Sequence, residues 1–155
     1  MKSTLRTALS VTCLVFVLSL AAAAQAPCTE KGSIRSVTKA RSGNFETVTF
    51  LFNGNKLPDK IDVSDETPPI TNYGGDNLHM KGKAFKGVHM SLVSWTCKIR
   101  ENFSAATTTI RDIKNTEQFE GYVSYVIGYA RKSKYVGKTT STAGKNAKIV
   151  IKFRR

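Results

Sequence analysis

Apolar and polar residues alternate with a period of two through most of this chain, and no stretch sustains a helical period. Thr, Val, Ile, Tyr and Phe are prominent in the alternating runs, and Gly, Pro and Asn lie at the breaks, which is typical of β-strands joined by turns. The chain is therefore predicted to be all-β. The expected strands are residues 47–52, 60–64, 78–81, 85–93, 122–129 and 148–153, with connections at 65–76 and 104–109.

A weak internal repeat constrains the architecture further. In both halves an Ile-Arg pair, a Phe-Glu pair, an apolar strand and a glycine follow one another. These features begin at Ile34, Phe45 and Gly54 in the first half, and at Ile110, Phe119 and Gly128 in the second. Each half then continues with a short charged strand and a final alternating strand. Two similar units of three to four strands cannot bury their apolar faces alone, so we expect them to pack as a two-sheet β-sandwich with one core.

The first 26 residues have the three parts of a secretory signal peptide. Lys2 and Arg6 form a positive start, residues 8–24 are mostly apolar, and the segment ends in Ala24-Gln25-Ala26. A membrane anchor is the alternative, but a spanning helix needs about 20 apolar residues and this run is shorter. The protein is therefore predicted to be secreted or to reside in the periplasm or cell envelope, and not to span a membrane after cleavage.

Cleavage after residue 26, with residues 23 and 24 as alternative sites, would leave 27–155 as a single domain. It would remove Cys13 and leave Cys28 and Cys97. In an oxidising compartment such an even pair favours a disulfide over two unrelated thiols. A disulfide closing so long a loop would stabilise the fold by roughly 4 kcal/mol, less any strain.

Two runs of residues carry a family resemblance. The second half has Phe-Glu-Gly at 119–121, an alternating apolar strand, Gly128, basic residues and Tyr135-Val136, and the first half has an apolar strand from Phe45, then Asn53-Gly54 and Leu57-Pro58. Over nearly all of residues 27–155, the chain resembles the AMIN-like domain of exported bacterial proteins, a relative of the AMIN domains attached to cell-wall amidases and secretins. The resemblance implies a β-sandwich module that binds cell-wall peptidoglycan and localises partners, and it supplies no catalytic residues to transfer.

Residues typical of enzymes are sparse. His79 and His89 are the two histidines, and neither has a carboxylate or thiol placed beside it in the sequence, so exposed strand histidines are expected. A disulfide would remove Cys97 as a nucleophile. There is no Gly-x-Ser-x-Gly motif and no phosphate-binding glycine loop. We therefore expect no enzyme activity, cofactor or metal site, although a fold that brings either histidine beside Asp or Glu would reopen the question.

Charge is distributed unevenly along the chain. Residues 121–155 contain nine Lys or Arg and no acidic residue, whereas residues 59–76 contain five acidic residues and one Lys. A basic region of one sign attracts anionic polymers. The expected polymer-binding residues are Tyr129, Arg131, Lys132, Lys134 and Tyr135, the tyrosines offering stacking faces beside the cations. The alternative is a solvated surface, with aromatic rings that pack in the core.

These observations predict a non-catalytic, exported binding module of the cell envelope. Its expected ligand is cell-wall polymer (peptidoglycan) or another anionic envelope component. Export argues against a physiological nucleic-acid partner, despite a sequence pI near 9.9. The alternative function is a structural or partner-binding subunit of an envelope assembly.

Overall fold

The computed structural model describes residues 29–91 and 93–155, which contain nine β-strands and no helix. The strands are β1 (Ile34–Ser42), β2 (Phe45–Asn53), β3 (Lys60–Glu66), β4 (Ala84–Ser91), β5 (Arg100–Asn102), β6 (Ile110–Phe119), β7 (Tyr122–Tyr129), β8 (Lys134–Ala143) and β9 (Asn146–Arg154). The predicted signal peptide lies outside the described residues. Within the described ranges, no helix has the length and apolar character needed to cross a membrane.

The strands form two sheets, which confirms the predicted β-sandwich. One sheet has five strands in the order β5-β1-β2-β9-β8, and the other has four in the order β3-β4-β7-β6. Neighbouring strands are antiparallel, except that the short β5 runs parallel to β1.

The core lies between the two sheets and is built by alternate residues of each strand. In β2 every second residue is buried, from Glu46 to Phe52. The side chain of Phe50 packs across the core against Tyr125 of the other sheet, edge to face, with ring centroids 5.3 Å apart. Both side chains are fully buried, and each such aromatic contributes roughly 1.5–3 kcal/mol through burial.

The internal repeat is visible in the topology, but the halves do not form one sheet each. Strands β1–β4 belong to the first half and β6–β9 to the second, and each sheet takes two strands from each half. The pair β1-β2 lies beside β9-β8 in one sheet, and β3-β4 lies beside β7-β6 in the other. The pair β1-β2 of the first half therefore corresponds to the pair β6-β7 of the second half, which lies in the opposite sheet. The pairing of both β1 with β2 and β6 with β7 is irregular at the same place, directly after Ile34 and Ile110.

The structural equivalence of the halves differs from the sequence alignment at one point. Phe45 opens β2 and pairs with Ser42 across a two-residue turn. The residue in the same position of the second half is Tyr122, which pairs with Phe119. The sequence repeat therefore matched Phe45, which follows its turn, with Phe119, which precedes the corresponding turn.

Residues 78–81 do not form the predicted strand. Leu78 and Met80 instead pack against a small cluster of Ile70, Phe85 and Val126. Phe85 and Val126 alternate with the core residues of β4 and β7, so the cluster covers the outer face of the four-stranded sheet. The apolar alternation of this segment serves a covering loop and not a strand.

Candidate functional site

A groove of about 470 Å³ opens at the end of the sandwich where β7 finishes and β4 and β6 begin. The residues that line it contribute five cationic side chains and no carboxylate. The cations are Lys39, Lys81, Lys83, Arg111 and Arg131, and the other lining residues are Gly82, Thr107, Ile110 and Ala130. We refer to this site as the basic groove.

The cations of the basic groove come from separate parts of the sequence. Lys39 is in β1, Arg111 is the second residue of β6, and Arg131 follows β7 directly. Lys81 and Lys83 lie just before β4. Of the five, only Arg131 was predicted as a binding residue. The others were missed because strand order and direction, which the sequence does not state, bring them together.

The lysine-bearing segment is fixed to the sheet by its backbone. The N–H of Lys81 donates to Oδ2 of Asp112 at 3.1 Å, and the N–H of Lys83 donates to the carbonyl of Tyr129 at 2.9 Å. The segment passes so close to β7 that a Cβ on Gly128 would lie 2.1 Å from the Lys81 carbonyl oxygen. A segment held in this way loses little conformational freedom when a ligand binds.

Two carboxylates near the groove are engaged by backbone N–H groups. Asp112 accepts hydrogen bonds from Lys81 and from Ile113, the latter at 3.0 Å. Glu46 is fully buried and accepts hydrogen bonds from the N–H groups of Thr108, Thr109 and Ile110, at 2.8 to 3.1 Å. Its closest ion-pair contact is Nε of Arg155, at 3.9 Å.

The hydrogen bonds to Glu46 keep it charged. Burial alone raises the pKa of this carboxyl, but the backbone N–H groups of Ile110, Thr109 and Thr108 lower it, and the net pKa is below the ordinary value. The negative charge of Glu46 therefore interacts with the backbone N–H groups of residues 108–110, which lead into β6.

The basic groove consequently keeps its positive charge. None of the ion pairs found among the described residues includes a groove cation. Cations that converge without carboxylate partners create a positive potential that concentrates anions.

The three predicted cations do not all face the same site. Arg131 lines the basic groove, and Lys132 is exposed in the turn after it. Lys134 is exposed and pairs with Arg154 in the neighbouring strand β9. A second basic surface begins there, since the side chains of Arg154 and Lys152 lie over the ring of Phe45, 5.9 Å and 3.8 Å from its centroid.

The two predicted tyrosines do not offer the exposed stacking faces that were expected. Tyr129 is only 8% exposed, and its ring packs 4.9 Å from that of Phe153. Tyr135 is half-buried between Phe153, at 5.9 Å, and the ammonium group of Lys86, at 4.9 Å. Burial raises the pKa of both phenols. Both positions point inward because β7 and β8 alternate with the core register here.

His89 does lie beside a carboxylate, unlike His79, which is exposed in the covering loop. Nε2 of His89 is 3.0 Å from Oε1 of Glu66, and Nδ1 is 3.2 Å from Oγ of Ser124. Ser124 in turn donates to Glu117 at 3.1 Å. The serine is only 3% exposed, which leaves its hydroxyl little access to a substrate. The network ties β3, β4, β6 and β7 together across the outer face of the four-stranded sheet.

The remaining candidate sites are a metal site and the predicted disulfide. In residues 29–91 and 93–155, no group of three or more His, Cys, Asp or Glu is placed to hold a metal ion. Cys97 is half-buried, and its carbonyl accepts a hydrogen bond from Nε2 of Gln118 at 2.8 Å. Because Cys28 lies outside the described residues, the Cys28–Cys97 disulfide stays a prediction.

The chemistry of the basic groove is that of a binding site for anions. Its side chains supply charged N–H donors, while the hydroxyl of Thr107 is already donated to the carbonyl of Ile110, at 3.1 Å. Comparisons of the chain with protein-family models, curated proteins and solved structures gave no match. The ligand class is therefore inferred from the groove itself.

Proposed function

We propose that this protein is a non-catalytic, exported binding module that holds an anionic polymer of the cell envelope in the basic groove. The observation that carries the proposal is the convergence of five cationic side chains without a lining carboxylate. The signal-like residues 1–26 support the location, and the resemblance to AMIN-like domains supports cell-wall polymer, peptidoglycan in the first instance, as the ligand.

Binding of this kind depends on unscreened charge. Each Lys or Arg close to an anionic surface contributes about 1 kcal/mol. At physiological ionic strength, charges interact over a Debye length of about 8 Å, and this distance shortens as salt is added. The affinity of the groove for its polymer should therefore fall steadily with rising salt.

The test is co-sedimentation with purified cell-wall sacculi across a salt series. The groove variant carries Lys81→Ala, Arg111→Ala and Arg131→Ala, and its affinity should drop by roughly 100-fold at low salt, because three cations are lost. The matched control carries Arg35→Ala, Lys60→Ala and Lys145→Ala, which removes the same charge from exposed positions outside the groove. The control should lose much less affinity.

Two results would contradict the proposal. Absence of wild-type binding at low salt would remove the envelope polymer as a ligand. Equal losses in the groove variant and the control would show that overall charge, and not the groove, produces the binding.

An exposed aromatic cluster supports the second candidate function, a partner-binding subunit of an envelope assembly. Tyr73, Phe119 and Tyr122 are 67%, 36% and 54% exposed. The Phe119 ring lies 5.0 Å from that of Tyr73 and 5.5 Å from that of Trp95. Exposed apolar patches of this kind mark protein contacts. Co-purification with a membrane complex that persists in high salt, and is lost in Tyr73→Ala, would favour this function over polymer binding.

A further inference from the structure

The outer face of the five-stranded sheet is a second surface of one charge. In β2 and β9 every second side chain is buried, so the residues between them point to the outside of the sandwich. In β5, Glu101 points inward to the hydroxyl of Tyr125, so its neighbour Arg100 points outward. The cations on this outer face, which we call the basic face, are Arg100, Lys134, Lys148, Lys152 and Arg154.

The basic face carries no negative charge of its own. Its five strands, all within the described part of the chain, contain two carboxylates, Glu46 and Glu101. Glu46 is fully buried, and Glu101 accepts the hydroxyl hydrogen bond of Tyr125 at 2.7 Å on the inner side of the sheet. The cations of the basic face are therefore not neutralised by acidic residues of these strands.

The opposite outer face of the sandwich has the opposite character. By the strand register, the outward positions of the four-stranded sheet hold four carboxylates and two lysines, namely Asp62, Glu66, Asp112, Glu117, Lys60 and Lys114. The covering loop also packs on this sheet. The field of the molecule therefore turns the basic face, and not its opposite, toward an anionic surface.

The cations of the basic face are spread in two dimensions. Arg100 lies level with Lys148 through the register of Ser36 and Leu51, three strand spacings away, which is about 14 Å. Arg154 lies six residues beyond Lys148 on β9, which is about 20 Å. A linear polymer that follows β9 passes along one of these two directions and leaves Arg100 uncontacted. A surface contacts all three corners at once.

An aromatic ring holds part of this charge in place. The ammonium group of Lys152 lies 3.8 Å from the centroid of the Phe45 ring, and the guanidinium of Arg154 lies 5.9 Å from it. Such contacts keep cations beside the ring. The basic face thus presents two of its cations together with a half-buried aromatic side chain.

We propose that the basic face docks this protein on the surface of an anionic lipid bilayer. The cations contact the lipid headgroups, and the protein lies on the bilayer without spanning it. The inference goes beyond the proposed function, because none of the residues that line the basic groove belongs to the basic face. The groove stays open to its polymer while the sheet rests on the membrane.

The experiment is co-sedimentation of the full mature protein with vesicles of phosphatidylglycerol and phosphatidylcholine in equal parts, and with vesicles of phosphatidylcholine alone. The wild type should bind the mixed vesicles at low salt and not the neutral ones. The face variant carries Arg100→Ala, Lys148→Ala and Arg154→Ala, all at exposed positions, and its affinity should fall by roughly 100-fold. The groove variant, with Lys81, Arg111 and Arg131 changed to Ala, loses the same charge and should lose much less affinity.

A single substitution tests the two-dimensional contact. Arg100→Ala should weaken binding to the mixed vesicles about fivefold. Lys60→Ala, which removes one exposed cation from the opposite outer face, should have little effect. Thermal unfolding of each variant confirms that it is folded. Unchanged vesicle affinity in Arg100→Ala would overturn docking by the whole face.

The remaining outcomes separate docking from the proposed function. Absence of wild-type binding to the mixed vesicles at low salt, or equal losses in the face and groove variants, would overturn docking. If the face variant lost binding to sacculi as fully as the groove variant, the basic face would be a general polyanion surface and docking would also fail. If the wild type did not bind sacculi, the proposed function would fail, while loss of vesicle binding in the face variant alone would still support docking.

Discussion

The carboxylate of Glu46 accepts the backbone N–H of Ile110 at 2.8 Å, and so joins the start of β2 to the start of β6 across the two sheets. The same carboxylate binds the N–H groups of Thr108 and Thr109. One buried side chain thus fixes the connection beside Thr107 and Arg111, both of which line the basic groove.

Replacing Glu46 with Gln should destabilise the protein by about 2–3 kcal/mol. The amide keeps one acceptor oxygen but directs an NH₂ group at N–H donors, which leaves buried donors unpaired. Urea unfolding at neutral pH measures the change. Glu117→Gln is a suitable control, because this half-exposed carboxylate accepts a hydrogen bond from Ser124 and should cost less. Equal losses in both variants would show that the hydrogen bonds of Glu46 to the connection before β6 do not make a special contribution to stability.

The pH dependence of stability provides a second test of Glu46. Its pKa is lowered in the folded protein, so its contribution is fully present above the pKa of the unfolded chain and is lost as the pH falls through the lower folded pKa. The free energy of unfolding of the wild type should therefore decrease in acid, and that of Glu46→Gln should decrease less. Parallel pH profiles for the two proteins would show that other groups produce the acid sensitivity.

Gly128→Ala should disturb both stability and binding. The new Cβ would lie 2.1 Å from the carbonyl oxygen of Lys81 and 3.2 Å from the ring of Phe85, so the lysine segment must move. We expect a cost of about 1–3 kcal/mol, together with weaker binding to sacculi. In the control Gly74→Ala, the nearest atom is 3.4 Å away and belongs to the exposed loop, so little change is expected. Unaltered thermal unfolding and binding in Gly128→Ala would mean that the close approach does not organise the groove.

Ser124→Ala tests the polar network around His89. The variant removes the hydroxyl that bridges Nδ1 of His89 and Oε2 of Glu117, with an expected cost of about 1 kcal/mol. Ser141→Ala, at a half-exposed position of the mostly exposed β8, is the comparison and should be nearly neutral. Hydrolysis of ester or peptide substrates by the wild type that Ser124→Ala abolishes would instead indicate a catalytic network, contrary to our proposal.

The Cys28–Cys97 disulfide and the cleavage site can be checked together. The intact mass of the exported protein, measured without reductant, should correspond to a chain that begins after residue 23, 24 or 26 and lacks two hydrogen atoms. Reduction should restore those atoms and lower stability by up to about 4 kcal/mol. A mass that includes both thiol hydrogens would disprove the bond.

Much of the strand pattern could be predicted from the sequence, because alternation reports directly which side chains face a core. Residues 122–129 match β7 at both ends, and the recurrence of Ile34 and Ile110 marks equivalent strands. Alternation does not distinguish a strand from a covering loop, so Leu78 and Met80 were misassigned. It also does not specify which strands pair, so the presence of strands from both halves in each sheet was not predicted.

The candidate site was harder to predict because its residues meet only through the topology. The residues from Tyr129 to Tyr135 are adjacent in sequence but do not form one site. Tyr129 and Tyr135 face inward, and Lys134 lies outside the basic groove, beside Arg154 of β9. Lys39 and Arg111 occur in unremarkable sequence contexts and become neighbours through the sandwich. Glu46 gave no signal as a buried residue, since its partners are backbone N–H groups more than sixty positions away.

The pairing of β2 with β9 sets the order in which the molecule can be completed. Phe45 pairs with Arg154, so the centre of the five-stranded sheet needs β9, which is made about 100 residues after β2. The chain is synthesised from its N-terminus, so β2 is made before β9. Until β9 pairs with it, β2 presents an open edge that other strands can join. Removing residues 146–155 would therefore take β9 out of the sheet between β2 and β8, and leave β8 without a strand to pair with.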